Sequence, residues 1–135
     1  MTEWNYRKGD LDADTKKYAT AAAKVAKDRG GLIHFFAVGQ TLEQEDVGWL
    51  KDLAAAGHPI GNHTYDHINL HATKPEDVQF RFRRAPWLIR DKPISQVIVD
   101  NIAMTTLALK ERCGITPAGF RTPGGCFGVP DLWAG

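Results

Sequence analysis

The sequence of 135 residues lacks the features that mark several large classes of protein. Its two cysteines, Cys113 and Cys126, form no CxxC pair and are too few for a disulfide framework. We expect free thiols, with a single bridge in an oxidising compartment as the alternative. No apolar run approaches the roughly 20 residues that cross a membrane, and the polar start "MTEWNYRKGDLDAD" lacks the apolar stretch of a signal peptide. The sequence as it stands is therefore expected to be cytoplasmic and to bind no membrane, unless an upstream segment is missing.

Charge of one sign is also scarce. With 17 Lys and Arg against 16 Asp and Glu, the net charge of +1 provides no electrostatic footprint for nucleic acid. The one basic cluster, "RFRR" at 81–84, follows Glu76 and Asp77 and is interpreted as a solvated helix face. Apolar residues make up 43% and charged residues 24%, as in a globular protein. We expect a single domain over residues 1–135 that binds no nucleic acid; the oligomeric state is not indicated.

Helix-like and strand-like segments alternate along the chain. Helices are predicted for residues 12–31, 41–57 and 93–114, and short strands for 31–39 and 58–64; residues 117–128 are predicted as a strand that runs into a glycine-rich loop. A further helix beginning at Pro75 is broken near Pro86. This order is typical of a parallel α/β protein. Because a closed barrel needs roughly 200 residues or more, the chain is either part of a barrel or a smaller open sheet.

Apolar residues at helical spacing predict which face of each helix is buried. The predicted faces are Tyr18, Ala21, Ala22, Val25 and Ala26 in the first helix, Val47, Leu50, Leu53 and Ala54 in the second, and Ile94, Val97, Ile98, Ile102 and Leu109 in the third.

The segment "HPIGNHTYDHINLHAT" at 58–73 contains four of the five histidines. His63 and His67 are four residues apart, a spacing that lets two imidazoles bind one ion on a helical turn or tight loop. They follow a predicted parallel strand, and ligands collect at the carboxyl ends of such strands. His71 is a possible third ligand but is expected on a turn, while His34 and His58 are expected to be structural.

Charged residues near the other predicted elements support a metal site. Arg121 lies in "FRTPGG", and Asp10, Asp12 and Asp14 lie in "GDLDAD" before the first helix. Two histidines and a carboxylate are the ligands of an open catalytic metal site. The alternative is that the aspartates cap a helix and that the glycines serve simply to make a turn. Asp66 is either a partner that orients a ligand imidazole or a solvated loop residue.

The strings "HFFAVGQ", "LAAAGHPIGNHTYDH" and "GFRTPGG" resemble consecutive motifs of the polysaccharide deacetylases, carbohydrate esterase family four with the NodB-homology domain. The resemblance extends from about residue 15 to residue 128. It implies a distorted (β/α) barrel, incomplete here at its C-terminal end, that removes acetyl groups from N-acetylated sugars. It also implies a divalent metal ion, zinc in the usual case, and a carbohydrate substrate.

The resemblance further implies roles for individual residues. His63 and His67 would be metal ligands, and Thr64 would help to fix the loop between them. Arg121 would orient the catalytic aspartate. Gly124 stands where the family often has an aromatic residue whose backbone N–H helps to form the oxyanion hole.

The sequence departs from the family pattern at two points. The family's Thr-Phe-Asp-Asp-Gly motif is absent, so Asp12 is the candidate metal ligand and Asp10 the candidate base, with Asp14 as a competitor that helix capping would explain. The family's later motifs, including a histidine that acts as general acid, would fall beyond residue 135, and no histidine follows His71 here. Either the chain is a fragment or that step is missing. Two alternatives stay open: hydrolysis of a small cyclic amide on the same fold, and a non-catalytic fragment that binds metal or glycan.

Overall fold

The computed structural model describes residues 4–5, 10–11, 14–78 and 91–125. The predictions for Asp12, for the "RFRR" cluster and for Cys126 therefore fall outside the described residues, and only the backbone of Asp10 is described. The helices are α1 (Thr15–Asp28), α2 (Gly48–Ala55) and α3 (Ile94–Cys113), and the strands are β1 (Trp4–Asn5), β2 (Asp10–Leu11), β3 (Phe35–Ala37) and β4 (Ile60–Asn62).

Parallel strands form the centre of the described fold. Strand β4 pairs in parallel with β3, in a register that sets Phe35 opposite Ile60. On its other side β4 meets residues 118–121, through a parallel bridge between Asn62 and Phe120. The crossovers between these segments contain α2 and α3, so the predicted α/β class with parallel strands is confirmed.

A two-residue antiparallel hairpin precedes the first helix. Strands β1 and β2 pair with Asn5 opposite Asp10, a pairing that the sequence pattern did not indicate. Asp10 therefore lies on a strand, two residues before Asp12. The first helix, α1, begins after Asp14, whose carbonyl oxygen accepts a hydrogen bond from the N–H of Tyr18 at 2.9 Å.

The buried face of α1 differs from the predicted one. Thr15 and Ala23 are buried, whereas Tyr18 is 62% and Val25 is 52% exposed. The apolar arc of this helix is wider than its contact with the rest of the fold, and the small side chain of Ala23 lies in the core with α2. The predicted Ala21 and Ala22 are exposed as well, so the prediction failed because the side of α1 in contact with α2 passes through Ala23, which the predicted arc did not include.

The predicted second helix is interrupted. A 3₁₀ turn over Gly39–Glu43 is followed by extended backbone at Gln44, and α2 starts only at Gly48. The Asp46 carboxylate accepts a hydrogen bond from the N–H of Gly48 at 2.9 Å, which satisfies a donor at the start of the helix. The predicted core residues Val47, Leu50 and Leu53 are buried, and Ala54 packs against them.

Helix α3 matches its prediction most closely. It begins after Pro93 and ends at Gly114, which has a left-handed φ of 65° that glycine adopts without strain. Its buried side contains Val97, Ile98 and Leu109, but also two polar residues, Asn101 and Thr105. Among the helices of the described residues, none combines the length and hydropathy needed to span a bilayer. Cys113, half-buried at the end of α3, is a free thiol whose pKa is raised by burial.

Candidate metal centre

The ends of the parallel segments bring the predicted site residues together. His63 follows directly after β4, and its N–H donates to the carbonyl of Ala37 at the end of β3, at 3.0 Å. Arg121 follows Phe120, and its N–H donates to the carbonyl of Asn62 at 3.0 Å. The carboxyl ends of three neighbouring segments therefore meet at His63, as expected for a ligand site in a parallel α/β fold.

The two predicted histidine ligands lie side by side. The ring centroids of His63 and His67 are 4.8 Å apart, with the rings inclined at 70°. The Nδ1 atom of His63 lies 2.7 Å from the carbonyl oxygen of Arg121. A carbonyl oxygen only accepts, so Nδ1 carries the proton and Nε2 presents its lone pair. An imidazole held in this way by a carbonyl is the usual arrangement of a metal-ligating histidine.

The environment of both imidazoles favours their neutral form. Burial lowers the pKa of His63, against an opposing hydrogen bond to the Arg121 carbonyl, and the charge of Arg121 lowers it further. Burial also lowers the pKa of His67, and the proximity of His63 adds to the effect. A divalent ion binds the neutral form of histidine, so the two side chains suit a metal.

A third protein ligand is not identified in the described part of the chain. Residues 14–78 and 91–125 contain no group of three histidine, cysteine or carboxylate side chains placed to hold one ion. The predicted third ligand, Asp12, lies outside these ranges, as does the side chain of Asp10. The assignments of ligand and base to Asp12 and Asp10 thus stay predictions.

The loop between the two histidines has a strained backbone. Thr64 has φ 62° and His67 has φ 52°, values in the left-handed region that a β-branched residue such as threonine rarely adopts. Thr64 is fully buried, and its carbonyl accepts the N–H of Gly39 at 2.9 Å. Its hydroxyl accepts the N–H of Ile68 at 3.3 Å. Left-handed residues of this kind cost about 1–3 kcal/mol each and persist only where the surroundings enforce them.

Asn62 supplies part of that enforcement. Its side-chain oxygen accepts the N–H of Thr64 at 2.9 Å. Its side-chain nitrogen donates to the carbonyl of Ile102 at 2.8 Å and to the hydroxyl of Thr106 at 2.9 Å, both on α3. Sequence reasoning missed this residue, although an asparagine at the end of a short buried strand was a usable signal.

Asp66 is buried, so its interpretation as a solvated loop aspartate was wrong. It is 1% exposed, and its two carboxylate oxygens accept hydrogen bonds from Gln40 Nε2 at 2.6 Å and from Asn101 Nδ2 at 2.9 Å. Asn101 Oδ1 in turn accepts the main-chain N–H groups of Tyr65 and Asp66 at 2.7 and 2.9 Å. Asn101 could have been found from its position on the apolar face of a helix, where a polar residue requires a partner.

Arg121 is the last residue of the segment 118–121 that pairs with β4, and Gly124 follows three residues later. The Arg121 carbonyl contacts His63, while its guanidinium carbon lies 5.9 Å from the centre of the Phe36 ring. Gly124 has φ 69° within a 3₁₀ turn over Pro123–Gly125. The predicted roles of Arg121 towards a catalytic aspartate and of Gly124 in an oxyanion hole involve groups that the structure does not describe, so they stay predictions.

The remaining histidines lie in different settings. His58 is buried, and its Nδ1 accepts the N–H of Ile33 at 3.0 Å, in keeping with the structural role expected for it. His34 is exposed and stacks on Phe36 with ring centroids 4.2 Å apart. His71 is exposed on a turn, as expected, and its N–H donates to the side chain of Asn69 at 3.0 Å.

The sequence matches the profile of the polysaccharide deacetylase family over residues 10–131. With this fold and paired histidines at the strand ends, the chain belongs to the polysaccharide deacetylase family.

Individual proteins resemble this chain in sequence or in fold. A chitooligosaccharide deacetylase of Azorhizobium caulinodans is 31% identical over 65 residues, which cover 48% of this chain and 30% of that protein. A family 4 acetyl xylan esterase from Clostridium thermocellum, solved with a cobalt ion, has a similar fold with TM-score 0.57 and 22% identity, over 93% of this chain and 50% of the esterase. A mutant of a CE4 family pseudoenzyme has a similar fold with TM-score 0.59 and 20% identity, over 86% of this chain and 35% of the pseudoenzyme. The chain thus spans between about a third and a half of the length of these relatives.

Proposed function

We propose that this chain is part of a metal-dependent hydrolase that removes acetyl groups from N-acetylated sugars. The observation that carries the proposal is the pair of adjacent imidazoles, His63 and His67, at the carboxyl ends of the parallel segments, with His63 Nδ1 held by the Arg121 carbonyl. Membership of the polysaccharide deacetylase family supports the choice of an acetylated sugar as substrate. The acetyl xylan esterase with its cobalt ion supports a divalent metal, for which zinc is our choice.

Each site residue has a role in this proposal. His63, His67 and Asp12 would hold the ion, which would act as a Lewis acid and lower the pKa of a bound water towards about 7. The Asp10 carboxylate accepts a proton from the attacking water as general base. Arg121 orients that carboxylate by charge. The backbone N–H at Gly124 donates to the oxyanion that develops on the acetyl carbonyl oxygen, and a donor of this type is worth about 2.7–4 kcal/mol.

The leaving amine must also receive a proton. The roles given above do not assign that proton donor. A second candidate is a protein that binds metal or glycan without turnover. Metal content and acetate release separate the two candidates, because only the hydrolase releases acetate.

Metal content tests the proposed site directly. We expect one zinc per chain in the wild type and its loss in His63→Ala, His67→Ala and Asp12→Ala, measured by elemental analysis after dialysis. His71→Ala is the matched control and should retain the metal, because His71 lies exposed on its turn. Loss of zinc in the two histidine variants alone would show that the carboxylate ligand is misassigned. A folded wild type without metal would refute the proposal.

Acetate release tests the chemistry. We expect an N-acetylglucosamine oligomer to be deacetylated by the metal-loaded protein, and we expect Asp10→Asn to retain zinc while losing turnover. Turnover of a small cyclic amide in place of the sugar would shift the proposal to that substrate class. Retention of metal and glycan without acetate release would establish the non-catalytic candidate.

A further inference from the structure

The segment that carries both histidines is attached to one side of α3. Asn62, which precedes His63, donates to the Ile102 carbonyl at 2.8 Å. Asp66, which precedes His67, accepts from Asn101 Nδ2 at 2.9 Å. The residue before each histidine is thus fixed to neighbouring positions on a helix of 20 residues.

Asn101 has a fixed orientation. Its Oδ1 accepts two main-chain N–H groups, of Tyr65 at 2.7 Å and of Asp66 at 2.9 Å. Turning the amide over would place its NH₂ group against both donors. Nδ2 must therefore face Asp66, whose Oδ2 accepts from it. The other oxygen, Oδ1, accepts from Gln40 Nε2 at 2.6 Å.

Both side-chain oxygens of Asp66 act as acceptors in this geometry. One accepts from the Asn101 amide on α3 and the other from the Gln40 amide on the 3₁₀ turn after β3. The next residue, His67, has the left-handed φ of 52°. The position of the His67 backbone is therefore determined by a network that ties the loop to two other elements.

We infer that Asn101 and Asp66 are positioning residues, through which α3 sets the orientation of His67 relative to His63 and hence the affinity of the site for its ion. The inference rests on the proposed metal-dependent function. Hydrogen-bonding partners behind metal ligands typically contribute 10–100-fold in metal affinity. Asn101 is 35 positions away from Asp66 in the chain, so the helix acts on the site from outside the histidine motif.

An exchange of the two side chains provides the test. Asn101→Asp alone places two carboxylates against each other where an amide nitrogen and a carboxylate oxygen are now 2.9 Å apart. The double variant Asp66→Asn with Asn101→Asp restores these four hydrogen bonds. The carboxylate at 101 accepts from the two main-chain N–H groups and from the new amide at 66, and the oxygen of that amide accepts from Gln40. The matched control is Gln96→Glu, which creates the same carboxylate pair with Asp100 on the exposed side of α3.

Cobalt(II) titration gives the main readout, with the dissociation constant and the visible absorption of the bound ion recorded for each protein. We expect Asn101→Asp to bind cobalt about 10–100-fold more weakly with an altered spectrum. The double variant should recover most of the affinity and the original spectrum, and Gln96→Glu should match the wild type. A folded Asn101→Asp with wild-type affinity and spectrum would overturn the inference, and so would a double variant that binds as weakly as Asn101→Asp. If Asn101→Asp does not fold, the double variant decides alone, because the inference requires it to fold and to bind like the wild type.

Metal-free spectra separate this inference from the proposed function. The ¹⁵N resonances of the His63 and His67 imidazoles report their surroundings without any ion. We expect them to shift in Asn101→Asp and to return in the double variant. If the wild type binds no cobalt, the proposed function fails, and these resonances still test the positioning role. Unshifted resonances in a folded Asn101→Asp would refute that role whatever the metal content.

Discussion

Replacement of Asn62 by alanine tests how the strained loop is held. The side chain is 3% exposed and makes three hydrogen bonds, to the N–H of Thr64, the carbonyl of Ile102 and the hydroxyl of Thr106. Asn62→Ala removes all three. The Thr64 N–H then loses its acceptor, and Thr64 is itself fully buried.

The cost follows from the three groups that lose a partner. An unsatisfied buried N–H costs about 1–3 kcal/mol, and each ordinary hydrogen bond contributes about 0.5–1.5 kcal/mol. Thr106 is exposed, so water replaces its lost bond and that contribution is discounted. We therefore expect Asn62→Ala to lower the free energy of unfolding by about 2–4 kcal/mol, a large share of the 5–15 kcal/mol typical of a domain.

Urea unfolding of the metal-free protein, followed by circular dichroism, measures this change by linear extrapolation. Asn69→Ala is the control, because Asn69 also bonds to main-chain groups, Asp77 O and His71 N, but at a more exposed site. It should cost less than about 1 kcal/mol, as is usual near the surface. An Asn62→Ala free energy within about 0.5 kcal/mol of the wild type would refute the argument from buried hydrogen bonds.

Two further predictions concern packing and pH. Gly61→Ala should lower the free energy of unfolding by about 1–3 kcal/mol in the same urea assay, because a Cβ there would lie 2.7 Å from the Phe36 ring. The control, Gly31→Ala, places its Cβ 3.5 Å from the nearest atom and should change the stability little. Equal effects of the two substitutions would contradict the packing argument. Above pH 6.5, the ordinary pKa of histidine, the thermal midpoint of the metal-free protein should not depend on the protonation of His63 and His67. Below that pH the midpoint should fall. Burial lowers both pKa values in the folded state, so the unfolded chain takes up protons first as the pH falls and is stabilised relative to the folded state. A double variant, His63→Gln with His67→Gln, should therefore reduce the dependence of the thermal midpoint on pH. An unchanged pH dependence would rule this mechanism out.

Much of the secondary structure was decided by local sequence. Pro93 and Gly114 bound α3 because proline fixes φ at a helix start and glycine accepts the left-handed backbone at its end. The apolar spacing of Val47, Leu50 and Leu53 likewise predicted the buried face of α2. These features depend on neighbours within a turn or two, so the sequence contains them directly.

Of the candidate site, only the pair of histidines at its centre was predicted from the sequence. The spacing of His63 and His67, together with the family motifs, predicted the pair that the structure brings to 4.8 Å between ring centroids. The contact of His63 with the Arg121 carbonyl was not predictable, since it joins positions 58 residues apart through the parallel bridge.

The surroundings of the site were decided by tertiary structure alone. The sequence around Asp66 is typical of a loop. The residue is nevertheless buried because the loop folds onto α3, where the Asn101 amide donates to its carboxylate. Tyr18 had the pattern of a core residue, yet it is exposed because Ala23 lies in the core with α2 instead. Local sequence determines which backbone conformations and apolar arcs are available. Which side chains are buried, and which polar groups meet, depends on contacts between distant segments that only the folded chain brings together.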